Sequence, residues 1–210
     1  MKETIEAIIQ LTFQRLKEVF DNQKEGVNKN LTFVEGQSRL VFPCYGQHRN
    51  SETRISEQEL RFAFVETFNS YCDKHNLNLF YAVEVPTKGT YCNFADKKKE
   101  PRIAKSNEQG RSAEFDLVIY DENLNRKCLI EFKAQNADKH AHSKDFVKLN
   151  NKEEGDTDVL RYLIEIVKTA EKESYKKIHA KIKGSEQIFK CFSLNDNEDI
   201  TEKICEAHVE

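Results

Sequence analysis

The 210 residues carry 33 Lys and Arg against 36 Asp and Glu, a formal net charge of −3, with 38% hydrophobic and 33% charged residues. That length supports one well-buried domain, residues 1–210, and the charge excludes a chain-wide basic footprint, so any contact with nucleic acid must come from local basic clusters. Six cysteines without a C-x-x-C pair exclude a zinc ribbon or finger, and no apolar run approaches the roughly 20 residues that span a bilayer.

The chain opens on an amphipathic pattern containing Glu3 and Glu6, which predicts no signal peptide and a cytoplasmic location. Ile5, Ile8, Ile9, Phe13, Leu16 and Phe20 recur at helical spacing and predict a helix over 3–20. Residues 21–30 are polar and turn-like; 31–45 is mixed and broken by Pro43. Ser56 followed by Glu59 forms a capping box, and Leu60, Phe64, Phe68 and Tyr71 continue it as a helical stripe that closes at Asn76–Asn78. A strand follows over 79–85, stopped by Pro86. Residues 87–111, with Gly89, Pro101 and Gly110, read as a long polar loop carrying Lys97, Lys98, Lys99, Arg102, Lys105 and Arg111; loops of this length are often functional.

Residues 115–120 and 127–133 are apolar strands separated by a turn at 121–125, which predicts a hairpin. A short helix over 143–150, a strand over 159–167, a basic helix over 171–183 ended by Gly184, a strand over 187–194 and a helical tail from Glu198 complete the chain. Cys72 and Cys128 fall in apolar patterns and read as buried thiols. The expected fold class is α/β, with a mixed central sheet of four or five strands and helices on both faces. Residues 1–55 form an N-terminal helical extension and 56–194 the core.

The chemistry concentrates in the hairpin. Glu131 and Lys133 are two apart on an otherwise apolar strand, so they project from one face, and Asp116 stands at the start of the partner strand. Two carboxylates at one end of a sheet form a hard oxygen site suited to Mg²⁺ or Mn²⁺, and a lysine beside them can act on a metal-bound water and a scissile phosphate. Glu114 shares the face of Asp116 and is a second candidate ligand; Glu84 is a weaker one, and Glu66 falls on the solvated side of its helix.

Asp116 and the run Glu131-Phe132-Lys133 resemble the PD-(D/E)xK nuclease superfamily, the restriction endonuclease-like group, over about residues 56–194. The chain departs from the written motif in having Phe115 in place of proline. The resemblance implies that Asp116, Glu131 and the carbonyl of Phe132 hold Mg²⁺, with Mn²⁺ as a substitute, and that Lys133 acts on the attacking water. It further implies an acid on the helix before the sheet, here Glu57, in register with Leu60 and Phe64. The run Lys144-Asp145-Phe146-Val147-Lys148-Leu149 resembles a short D-x-x-K-L helix of related nuclease-like families.

The expected activity is that of a DNA endonuclease of restriction or phage-defence type, acting on double-stranded DNA, with a homodimer as a further expectation. The loop cations and Gln135 are the candidate nucleic-acid contacts, with a polar strand end as the preferred reading of Gln135. The alternative is an inactive module of the same fold that binds nucleic acid or a protein partner. His140 and His142 read as loop residues, and the lysines of 172–183 as a solvated face or a phosphate track.

Overall fold

A computed structural model describes residues 1–25, 37–44, 53–135 and 137–207. The predicted turn over 21–30 and the mixed stretch over 31–45 lie partly outside them.

Helix α1 (Lys2–Glu25) and helix α2 (Glu57–His75) precede the first strands. Both arms of the Ser56/Glu59 capping box form, and the Ser56 backbone N–H donates to Glu59 at 2.9 Å. Asn76, at φ 51°, ends α2 in the left-handed conformation that its short polar side chain tolerates. Strand β1 (Phe80–Pro86) is followed by a two-residue ribbon, β2 (Tyr91–Cys92) and β3 (Arg102–Ile103). The hairpin is β4 (Glu114–Tyr120) and β5 (Arg126–Ala134). Helix α3 (Lys139–Leu149) crosses to β6 (Leu160–Val167), and α4 (Lys172–Ile182) to β7 (Phe189–Ser193). The tail is a short strand, β8 (Glu198–Asp199), and then helix α5 (Thr201–Cys205), so only its second half is helical as expected.

The principal sheet has six strands in the order β1-β4-β5-β6-β7-β8, more than the four or five read from the sequence. The β1/β4, β4/β5 and β7/β8 pairs are antiparallel; β5/β6 and β6/β7 are parallel. The architecture is therefore mixed α/β with helices on both faces. Leu117, Ile130, Phe132 and Ile164 pack toward α1 and α2, while Val118, Leu129, Leu163 and Phe189 pack toward α3, α4 and α5. The period-2 alternation of β5 and β6 thus feeds two apolar layers, as expected of central strands covered on both sides.

Helix α1 lies inside the first layer, with Ile5, Ile8, Ile9, Phe13, Leu16 and Phe20 all buried, and the Phe13 and Phe192 rings stack at 4.9 Å. Residues 1–25 thus share the core of the sheet. At the opposite side β1 is an edge strand that leaves Phe80, Tyr81 and Val83 exposed.

Two local readings change. Helix α3 begins at Lys139, earlier than 143, because the Asp138 side chain accepts the Ala141 N–H at 2.8 Å and caps it. His140 and His142 are therefore helical, not loop residues, and His142 is fully buried with Nε2 3.0 Å from Glu165 on β6. Residues 87–111 are not a structureless loop. The carboxylate of Glu154, itself fully buried, accepts the backbone N–H groups of Lys88 and Gly89 at 2.9 Å each and the Tyr91 hydroxyl at 2.6 Å, and pairs with Arg126 at 3.1 Å. A Cβ on Gly89 would run into the Asn151 side-chain amide, so any larger residue here must displace that buried side chain. Strands of two residues are too short for a period-2 pattern, which is why the sequence does not reveal them.

Tyr91→Phe is expected to lower stability by about 1.5–3 kcal/mol, since it removes a hydrogen bond to a buried charge. Urea denaturation of both proteins checks this, with a change in midpoint at constant slope as the expected signature.

Candidate active site

The antiparallel register pairs Leu117 with Ile130, so the next residue on β4, Asp116, falls beside Glu131. The Phe132 N–H donates to Asp116 Oδ2 at 2.7 Å, fixing the carboxylate against the strand that carries the E-x-K run. The other oxygen of Asp116 accepts from the Arg61 guanidinium at 2.8 Å, and Arg61 also reaches Glu84 at 3.2 Å. Arg61 lies one turn into α2 from Glu57, which places both at the same end of the sheet.

Glu131 and Lys133 point to the α3 side, where that helix lays Asp145 and Lys148 over them. All four are buried: Glu131 is 2% exposed, Lys133 7%, Asp145 5% and Lys148 6%. Their charges alternate. Lys148 pairs with Glu131 and, at 3.0 Å, with Asp145; Lys133 pairs with Asp145 at 2.7 Å and with Glu57 at 3.6 Å. Lys133 also donates to the Phe132 carbonyl at 3.0 Å, and Lys148 to the Glu114 carbonyl at 2.8 Å. Glu131 Oε1 and Asp145 Oδ2 are buried and held by ion-pair contact alone, without an aligned hydrogen bond.

Burial pushes the Glu131 carboxyl well above the ordinary glutamate range; Asp145 adds to that and Lys148 opposes it. Burial also raises Glu57, against the pull of Lys133, with Asp116 adding to the rise. At Asp145 burial works upward, yet Lys148 and Lys133 together hold the carboxyl below its usual range. Burial alone would lower both lysines, but Asp145 and Glu57 hold Lys133 up, and Glu131 and Asp145 hold Lys148 up. Both lysines are therefore ammonium groups at neutral pH.

This cluster lines an open pocket of about 320 Å³, together with Glu84, Glu114, Asp116, Arg61, Lys144 and Phe94 from the ribbon segment. Glu57 lies beside it through Lys133. Among the described residues no three His, Cys, Asp or Glu side chains form a ready-made metal cluster.

Asp116, Glu131, Lys133, Glu57 and the Phe132 backbone are thus brought together. Glu114 contributes its backbone carbonyl to Lys148 and leaves its side chain exposed. Gln135 does not share the site: β5 ends at Ala134, and Gln135 turns away at φ 40° with its N–H donating to Ile166 at 2.8 Å. The loop cations divide. Lys97, Lys98 and Lys99 line a second open pocket with Lys139, His140 and Ser143, and Lys97 pairs with Asp138 at 2.8 Å. Arg102 is taken by Glu108 at 2.6 Å, Lys105 is exposed beside it, and Arg111 pairs by its backbone with Tyr91.

Three site residues were not assigned from sequence: Arg61, Asp145 and Lys148. The signal for the last two was the D-x-x-K spacing, which sets both on one helical face. Nothing in the sequence distinguishes Arg61 from a solvated charge. No family model, curated protein or solved structure matches the chain.

Proposed function

We propose that the chain is a divalent-metal-dependent nuclease of the PD-(D/E)xK type, acting on double-stranded DNA. The observation that carries this reading is the convergence of Asp116, Glu131 and Lys133 at one end of the β4/β5 hairpin, beside an open pocket, with Glu57 adjoining. The donor set fits a hard cation. The carboxylates of Asp116 and Glu131 and the carbonyl of Phe132 are all oxygens, and Glu131 is buried with its Oε1 met by the Lys148 ammonium. Water and substrate oxygens would complete the shell.

A cation held there supplies a more acidic water and offsets charge at the scissile phosphate. Lys133, kept as an ammonium by Asp145 and Glu57, cannot serve as the base. Held by the Phe132 carbonyl, it orients the water and faces the charge that develops on the phosphate. The proton of the water passes to Glu57, whose affinity for it is raised by burial. Attack would form a P–O bond to the water oxygen while the bond to one sugar oxygen breaks, that oxygen leaving as an alkoxide that takes its proton from bulk water.

The test is Asp116→Asn, which keeps the shape and removes one metal-binding charge. Calorimetric titration is expected to show Mn²⁺ binding in the parent protein and its loss in the variant, together with loss of plasmid nicking. A parent protein that takes up no Mn²⁺ overturns the reading and favours an inactive binding module.

A further inference from the structure

The two carboxylates assigned to metal are not waiting with free oxygens. Arg61 holds Asp116 at 2.8 Å, and Lys148 holds Glu131. Lys133, by contrast, is bound to Asp145, Glu57 and the Phe132 carbonyl, and to neither metal-binding carboxylate. Arg61 and Lys148 are therefore paired with the two carboxylates that a divalent cation would claim, whereas Lys133 shares with it only the Phe132 carbonyl.

We infer that Arg61 and Lys148 are exchangeable cations that stand in for the metal at Asp116 and Glu131 and, once displaced by it, bind the phosphodiester. This rests on the nuclease reading above and adds to it how the site couples metal to substrate. A divalent ion at Asp116 and Glu131 repels a guanidinium and an ammonium a few ångströms away, so their ion pairs and the metal compete for the same oxygens. The pocket and Glu57 together hold six carboxylates against four cationic side chains, an excess of two negative charges when all are ionised. A divalent cation balances that excess, and the released cations then face a phosphate instead of a carboxylate.

Arg61 is suited to the exchange. Its Nε is buried without a hydrogen-bond partner, so the guanidinium uses only part of its donor fork on Asp116 and Glu84. A phosphate can take two of those donors in parallel. Lys148 carries its charge on a flexible stem from the last turn of α3, next to the pocket wall.

The inference requires positive coupling: metal must raise affinity for DNA, and DNA for metal, by the same factor. The experiment titrates Mn²⁺ into the parent protein, Arg61→Gln and Lys148→Met without DNA. It then measures binding of a short DNA duplex with and without Ca²⁺. Arg61→Gln is the primary variant because Arg61 is partly buried where Lys148 is fully so; Lys148→Met repeats the test at the other carboxylate. In both, Mn²⁺ is expected to bind about fivefold or more tightly, the lower range of site-to-site coupling, while the Ca²⁺-dependent gain in duplex affinity shrinks. The salt dependence of duplex binding with Ca²⁺ is expected to lose about one unit of slope per cation removed.

Variants that bind Mn²⁺ no more tightly than the parent overturn the inference and leave the nuclease reading standing. So does a parent protein whose duplex affinity ignores Ca²⁺. A parent protein that binds no Mn²⁺ overturns both.

Discussion

Lys133→Met is expected to leave Mn²⁺ binding intact and to slow cleavage of supercoiled plasmid on the order of 10²–10⁴-fold. Methionine keeps much of the aliphatic stem in its buried place and removes only the ammonium. Asp116, Glu131 and the Phe132 carbonyl remain, so the oxygens that take up metal are unchanged. What is lost is the donor that Phe132 O and Asp145 hold at the pocket. The comparison with Asp116→Asn is therefore diagnostic: one variant separates metal uptake from turnover, and the other loses both. Metal-dependent nicking by purified Lys133→Met at the parent rate would remove Lys133 from the mechanism.

Lys148→Met is expected to cost about 3–5 kcal/mol at a pH where Glu131 is ionised, because it strands the buried carboxylate without its partner. The cost has a distinctive pH dependence. The Glu131 carboxyl already binds its proton more tightly in the folded state than its ordinary value of 4.5, and removing Lys148 tightens it further. A group whose affinity for a proton rises on folding stabilises fully below its unfolded pKa and loses that contribution as pH climbs through the folded one. The penalty should thus be smallest below pH 4.5 and grow as pH climbs through the folded-state value of Glu131. Urea denaturation across that range measures it. The double variant Glu131→Gln/Lys148→Met should recover much of the loss, since two buried charges go together. A penalty that is flat with pH would show that Lys148 contributes by packing alone.

Much of the site's skeleton was legible because it rests on short-range rules. Ser56 and Glu59 announce the start of α2, and that start sets Glu57 facing Lys133. The apolar strands around residues 121–125 announce a hairpin, and period 2 puts Glu131 and Lys133 on one face. Asp116 and Glu114 remained alternatives because both share that face. The register of β4 against β5 brings the Phe132 N–H to Asp116 and leaves the Glu114 side chain exposed.

The parts that were not legible depend on long-range contacts. Whether Asp145 and Lys148 are solvated charges or a lid over Glu131 depends on where α3 lands after crossing to β6, and an i,i+3 pair looks the same in both cases. Arg61 acquires its meaning from Asp116, 55 positions away. The order of 87–111 comes from Glu154, a residue that in sequence resembles any acid in a polar turn.

That anchoring of 87–111 has a thermodynamic consequence. Holding a residue's backbone in one conformation costs about 1–2 kcal/mol of entropy, and in a floppy loop that cost falls due when a partner binds. Here the Tyr91–Glu154 contact and the pairing of Tyr91 with Arg111 meet it when the chain folds. Lys97, Lys98 and Lys99 are thereby presented as a surface arranged in advance. Under the nuclease proposal, the hold of that surface on a polyanion is expected to follow ionic strength closely, with counterion release as the governing variable and chain ordering a minor one.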